Sequence, residues 1–141
     1  MTKIDFHSNI ADKTNYVCRL VRKARAANCK IVIFDLNQEY LKELDKSIWT
    51  FSKTDFLPHV FSNDPLASAT PIILCHDENE ALPHFDVLIN LHQHVPDIFS
   101  RFKRVIEIVA SDENEAKAGR QRYRHYQQLG ITPNHTIAKS S

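Results

Sequence analysis

The sequence predicts an α/β protein: a three-layer α/β/α, Rossmann-like sandwich with a mostly parallel sheet, lacking a phosphate-binding glycine loop. Three observations carry this expectation. Short apolar runs alternate along the chain with segments of helical periodicity, the pattern of a sheet whose crossovers are helices. Several of those runs, 31–34 and 72–75 among them, are apolar at consecutive positions, as in strands buried on both faces. Glycine occurs only at Gly119 and Gly130, both late in the chain. A Walker loop or a dinucleotide fingerprint needs several glycines after an early strand, so that backbone N–H groups can approach phosphates. The same scarcity weighs against a methyltransferase-type cofactor loop.

The elements follow in order. Residues 3–7 alternate polar and apolar side chains and form a first strand. Residues 12–28 carry Val17, Leu20, Val21, Ala24 and Ala27 at helical spacing, with Arg19, Arg22, Lys23 and Arg25 elsewhere around the wheel. Residues 30–34 form a buried strand. A second helix over 37–49 buries Tyr40, Leu41, Leu44 and Ile48, with Asn37 or Asp35 as its cap. Residues 50–70 read as a long irregular connection, the kind of segment that usually carries function. Strands follow at 71–75 and 86–91, then a short helix at 96–103 and a fifth strand at 104–109. The last helix opens at Ser111 or Asp112 and closes near Gly130. Residues 132–141 read as a polar, frayed tail.

A length of 141 residues suits one domain, 1–141, with one buried core. The formal net charge is +1, from 18 Lys and Arg against 17 Asp and Glu, which argues against a surface built as a whole to neutralise phosphates. Cys18, Cys29 and Cys75 are widely spaced and make no CxxC pair, an odd and sparse set that fits a reducing cytoplasm. The N-terminus has no apolar run of signal-peptide length, and no stretch approaches a membrane span.

Catalytic and cofactor motifs are lacking. There is no GxSxG elbow and no cysteine in a recognisable catalytic setting. His92 and His94, with Cys75, His76 or His84, could be ligands only if three or four of them converged, and solvated histidines at strand ends are the plainer reading. Asp35 follows the second strand, where some dinucleotide folds place a ribose-binding acid, but without the glycine turn it reads as a helix cap or loop acid. Neither a metal nor a cofactor is expected.

Two surfaces stand out. One runs from Leu44 through Trp49 and Phe51 to Phe56-Leu57-Pro58-His59-Val60-Phe61, and holds the only Trp and three Phe residues. Large apolar residues in an irregular segment either fold back on the core or present a docking patch. The other is the last helix, where Arg120, Tyr123, Arg124 and Gln127 share one face at i, i+3, i+4, i+7 spacing, with Arg122 and Tyr126 on a neighbouring face. A solvated basic face near a helix C-terminus explains such a cluster equally well.

Three stretches carry a family resemblance: Leu44-Asp45 to Trp49 leading into Phe56-Leu57-Pro58-His59; Asp86 to Leu91; and Arg120-x-Arg122-Tyr123-x-x-Tyr126-x-x-x-Gly130. In this order and spacing the chain resembles the chi subunit of bacterial DNA polymerase III holoenzyme. The resemblance implies a non-catalytic replication accessory subunit with a Rossmann-like fold that binds no nucleotide. It implies two protein partners: the psi subunit, which links it to the clamp-loader complex, and the acidic C-terminal tail of single-stranded DNA-binding protein. By similarity Arg120 would clamp the tail's terminal Phe carboxylate and Arg124 would meet its aspartates, with Tyr123 and Val109 walling the Phe pocket. Family members can place a Lys one turn before Arg120. This chain has Ala116 there, and Lys117, the nearest substitute, points about 100° away around the helix. Trp49, Phe56, Leu57 and Pro58 match the psi-docking segment, for which an accessory helicase competes in some members. DNA would be touched only indirectly. Two other classes stay open: a small α/β enzyme acting on a nucleotide or phosphoester through Asp35 and His92, which requires a polar pocket at the strand C-termini, and direct single-stranded nucleic-acid binding by the Arg/Tyr helix.

Overall fold

The computed structural model describes residues 2–51 and 57–138. Its elements are β1 (Lys3–Ile10), α1 (Lys13–Ala26), β2 (Ile31–Phe34), α2 (Gln38–Phe51), β3 (His59–Phe61), β4 (Ile72–Cys75), β5 (Val87–Asn90), β6 (Arg104–Ala110), α3 (Glu113–Gln128) and β7 (Asn134–Ile137). Short 3₁₀ turns lie at Ala67–Ala69 and Asp97–Arg101. The predicted α/β sandwich is thus the observed one. Seven parallel strands form a single sheet in the order β3-β4-β2-β5-β6-β1-β7.

The central strands are apolar on both faces because both faces are covered. One face packs Ile31, Ile33, Ile72, Leu74, Ile89 and Ile108 against Val17 and Val21 of α1 and Leu41, Leu44 and Ile48 of α2. The other packs Ile4, Phe6, Val32, Phe34, Ile73, Leu88 and Val109 against Tyr126 of α3 and the 3₁₀-turn residues Ala67 and Ile98.

Helix ends are set by local side-chain chemistry. The Asp12, Asn37 and Asp112 side chains accept hydrogen bonds from the backbone N–H groups of Asn15, Tyr40 and Glu115, the standard N-cap geometry. At the end of α3, Gly130 takes the left-handed conformation (φ 83°). Its N–H donates to Gln127 O while Ile131 N–H donates to Tyr126 O, which closes the helix as a Schellman turn.

Two expectations change. The connection 50–70 is not wholly irregular: His59–Phe61 is a strand at one edge of the sheet. The segment 132–141 is not simply a tail: Asn134–Ile137 forms the strand at the opposite edge, parallel to β1. Each is short and bonded on one side only, so neither needs the apolar pattern of an interior strand. Where β1 runs between β6 and β7 it also bulges. His7 pairs with Ile108 and Ile10 with Ala110, so Ser8 and Asn9 stand opposite Val109 alone, and Asn9 takes a positive φ of 61°.

Candidate functional site

An apolar groove of about 600 Å³ lies where α3 crosses the β6, β1 and β7 end of the sheet. Phe6 and Val109, with Gly119 of α3, form its floor, and Tyr123 and Ile137 its walls. Arg120, Arg124 and Gln127 line it from α3, and the bulge residues Ser8 and Asn9 from β1. The sequence-predicted set of Arg120, Tyr123, Arg124 and Val109 is therefore brought together around one cavity. Lys117 is exposed and is not among the lining residues, whereas Ala116 is, so among the described residues no cation stands at that part of the rim.

The groove exists because α3 sits close to the sheet. A Cβ on Gly119 would lie 2.8 and 2.9 Å from the two methyl carbons of Val109, so only glycine permits this approach. Tyr123 is fixed from two sides: its ring centroid lies 5.2 Å from that of Phe6, and its hydroxyl donates to Pro133 O at 3.3 Å. Arg120 and Arg124 are exposed. One Arg120 Nη meets Glu113 Oε1 at 3.3 Å, a solvated ion pair of little worth that a carboxylate ligand could displace. A pair of guanidiniums beside an aromatic notch suits an apolar side chain whose carboxylate lies next to it.

Arg122 and Tyr126 correct the expectation of a surface cluster. Both are buried, at 4% and 0% exposure, together with Glu107 of β6 at 0%. Arg122 Nε donates to Glu107 Oε1 at 2.8 Å, the Tyr126 hydroxyl to Oε2 at 2.7 Å, and Asn90 Nδ2 to Oε1 at 2.9 Å. Arg122 also donates to Gln93 O and Ile108 O. Burial pushes the Glu107 carboxyl above its ordinary range, against the pull of Arg122 and the hydrogen bonds from Tyr126 and Asn90. Burial, then the neighbouring Glu107, pushes the Tyr126 phenol up in turn. This network ties α3 to β5, β6 and the following loop, and it removes Arg122 and Tyr126 from any ligand's reach.

The second predicted surface lies at the β3 end. Trp49 is half exposed, and its ring centroid lies 4.2 Å from that of buried His59, whose Nε2 is 2.8 Å from Asp45 Oδ1. Leu57 is buried in the core rather than presented, and Pro58 is half-buried. Phe56 lies outside the described residues. Phe51 and Phe61 are half-buried against the core, with the Arg22 guanidinium 5.1 Å from the Phe51 ring.

A polar cleft of about 660 Å³ opens at the C-terminal ends of β1, β2 and β5, where the enzyme alternative requires one. In it His92 Nδ1 lies 3.4 Å from Asp35 Oδ1, which also accepts from Asn37 N–H, and Lys13 bonds Glu115 and Leu91 O. Asp35 is thus a loop acid at the start of α2, while Asn37 is the cap. Among the described residues no group of three or more His, Cys, Asp or Glu could hold a metal ion. Burial, with Asp12 adding to it, pushes the Cys18 thiol up to about 11, far from a nucleophilic thiolate. Among the described residues no helix is long and apolar enough to cross a membrane.

Comparison with known proteins agrees with the family resemblance. A family model described as DNA polymerase III chi subunit, HolC, matches residues 1–134. The chain is 28% identical to the DNA polymerase III subunit chi of Pseudomonas aeruginosa over 92% of each chain. It is 27% identical to that of Haemophilus influenzae, over 80% of this chain and 78% of the relative. It is 20% identical to that of Escherichia coli, over 84% of this chain and 80% of the relative.

Proposed function

The chain belongs to the chi subunit family of DNA polymerase III, accessory and non-catalytic subunits of the replication machinery, and from that premise we propose that it works as an adaptor with two docking surfaces. The groove beside α3 takes the acidic C-terminal tail of single-stranded DNA-binding protein. The observation that carries this reading is the convergence of Arg120, Arg124, Tyr123 and Val109 on one apolar cavity. The terminal Phe ring fills the notch over Val109, its carboxylate meets Arg120, and the preceding aspartates lie toward Arg124. Lys117 steers the approach of the acidic chain from outside the groove.

The β3 end of the sheet receives the psi subunit. Trp49 is the exposed anchor, Pro58 belongs to the same docking segment, and Leu57 holds that segment to the core; Phe56, assigned to it by resemblance, lies outside the described residues. An accessory helicase is a competitor for this same surface. Direct binding of single-stranded nucleic acid is disfavoured by the burial of Arg122 and Tyr126, and the net charge of +1 points the same way.

The test is titration with a synthetic aspartate-rich peptide ending in Phe, beside the same peptide without the Phe and a bare oligonucleotide. Binding that requires the Phe and exceeds that of the oligonucleotide supports the adaptor reading. Equal binding of the two peptides removes the groove from it.

A further inference from the structure

Among the described residues, the groove is bounded on one side by a sheet edge that nothing else pairs with. β7 pairs with β1 and is the last strand in the order, and all four of its residues are exposed, Ile137 at 65%. The direction of its backbone groups follows from the ladder. Ala138 N–H donates to Ser8 O. In a parallel pair alternate residues turn both N–H and C=O toward the partner strand. Thr136 and Asn134 therefore face β1 with Ala138, and His135 and Ile137 turn N–H and C=O to the outer edge. The side chains of these same two residues line the groove. Two outward backbone positions, about 6–7 Å apart along the strand, thus stand beside a cavity flanked by Arg120 and Arg124.

We propose that the groove's ligand, an acidic peptide with a terminal aromatic residue, binds as an eighth strand on β7, pairing its backbone with His135 and Ile137 while its terminal side chain enters the notch over Val109. This rests on the peptide reading above and adds the mode of binding. The occupant is argued from charge and continuity. The exposed cations Arg120 and Arg124 line the groove that the strand edge borders, so an extended acidic chain can use edge and cavity together.

Two measurements on the intact chain test it. Amide hydrogen exchange with and without the Phe-terminated peptide should slow at His135 and Ile137 by about tenfold or more at saturation, since exchange then requires release of the added strand. Ile137→Pro removes one outward donor and leaves the Ala138-to-Ser8 bond in place, a position where an edge strand tolerates proline. It should weaken the peptide roughly fivefold to tenfold, the scale of a backbone hydrogen bond, beyond Ile137→Ala, which trims the same groove wall but keeps the backbone donor. Should the proline variant lose its fold, the exchange measurement on the unsubstituted chain decides alone. Arg120-dependent binding without slowing at His135 and Ile137 overturns strand addition and leaves the groove reading standing, as does a folded Ile137→Pro chain that binds as tightly as Ile137→Ala. Slowing that depends on protein concentration rather than peptide overturns it in favour of pairing between two copies of the chain. No peptide binding at all overturns the groove reading and this inference with it.

Discussion

Gly119 of α3 lies directly over Val109 of β6, so close that an added Cβ would stand 2.8 Å from a Val109 methyl carbon. The floor of the groove is made by this contact.

Gly119→Ala therefore sets two effects against each other. Alanine favours the helix by about 1 kcal/mol, but the clash forces α3 away from the sheet, at about 1–3 kcal/mol for an overpacked contact. The expected net result is a lower urea midpoint with little change in m-value, together with weaker binding of the Phe-terminated peptide. A midpoint that rises would mean that Val109 can move aside at little cost.

Arg120→Ala should weaken the same peptide by about 1.5–3 kcal/mol, the range for hydrogen bonds to charged groups. Glu113 competes for that guanidinium across 3.3 Å, so Glu113→Gln should tighten binding by up to about 1 kcal/mol at low salt and less at high salt. Calorimetric titration at two salt concentrations checks both. A tightening that does not diminish in high salt would not be electrostatic.

Glu107→Gln leaves Arg122 buried without its carboxylate partner. Breaking a buried pair on one side costs about 3–5 kcal/mol, and thermal unfolding should show a correspondingly large loss. Replacing the pair together with apolar residues of similar size, as in Glu107→Leu with Arg122→Met, should recover much of it.

Trp49→Ala should abolish or sharply weaken co-purification of a psi partner while leaving the peptide affinity unchanged, because Trp49 packs on His59 at the β3 end. Loss of both activities would indicate global unfolding, which circular dichroism would reveal.

Stability should fall as pH drops through about 6.5, the usual histidine range. His84 is buried, its Nδ1 has no hydrogen-bond partner among the described residues, and burial holds its pKa below the ordinary value. His7 is lowered as well, by burial first, with Asp5 opposing. A group with a depressed folded pKa leaves the unfolded chain binding more protons, so stability is lost on acidification. Glu107 contributes with the opposite sign, its folded carboxyl being raised. The comparison that isolates His84 is therefore the pH slope of the urea midpoint in the unsubstituted chain against His84→Gln, whose slope should be shallower between about pH 7.5 and 5.5.

The interior strands and the three helices are readable in the sequence because burial imposes a pattern: consecutive apolar residues in β2, β4 and β5, and helical spacing in α1, α2 and α3. The two edge strands are not readable that way. Asn134-His135-Thr136-Ile137 is exposed throughout and needs no apolar face, and His59–Phe61 is three residues inside a long connection. That Arg120, Tyr123 and Arg124 share a face is readable from helical phase, and Val109 joined them only through the family resemblance; the structure lines one groove with all four. The burial of Arg122 and Tyr126 was not, because helical phase alone does not say how far around α3 the sheet reaches. Its signal lay elsewhere, in Glu107 amid the apolar run of β6 and Asn90 closing that of β5. A carboxylate in a strand covered on both faces requires a buried cation or donor, and Arg122 of the covering helix supplies the charge.

The order of the sheet also has a mechanical meaning. β3 and β7 are its first and last strands. Six intervals of about 4.8 Å set them roughly 29 Å apart across a continuous backbone ladder. A load applied at one edge and resisted at the other pulls across the inter-strand hydrogen bonds, which open one after another, rather than along the strands, where they would break together. Between these edges the sheet is therefore stiff at rest and comparatively compliant under tension.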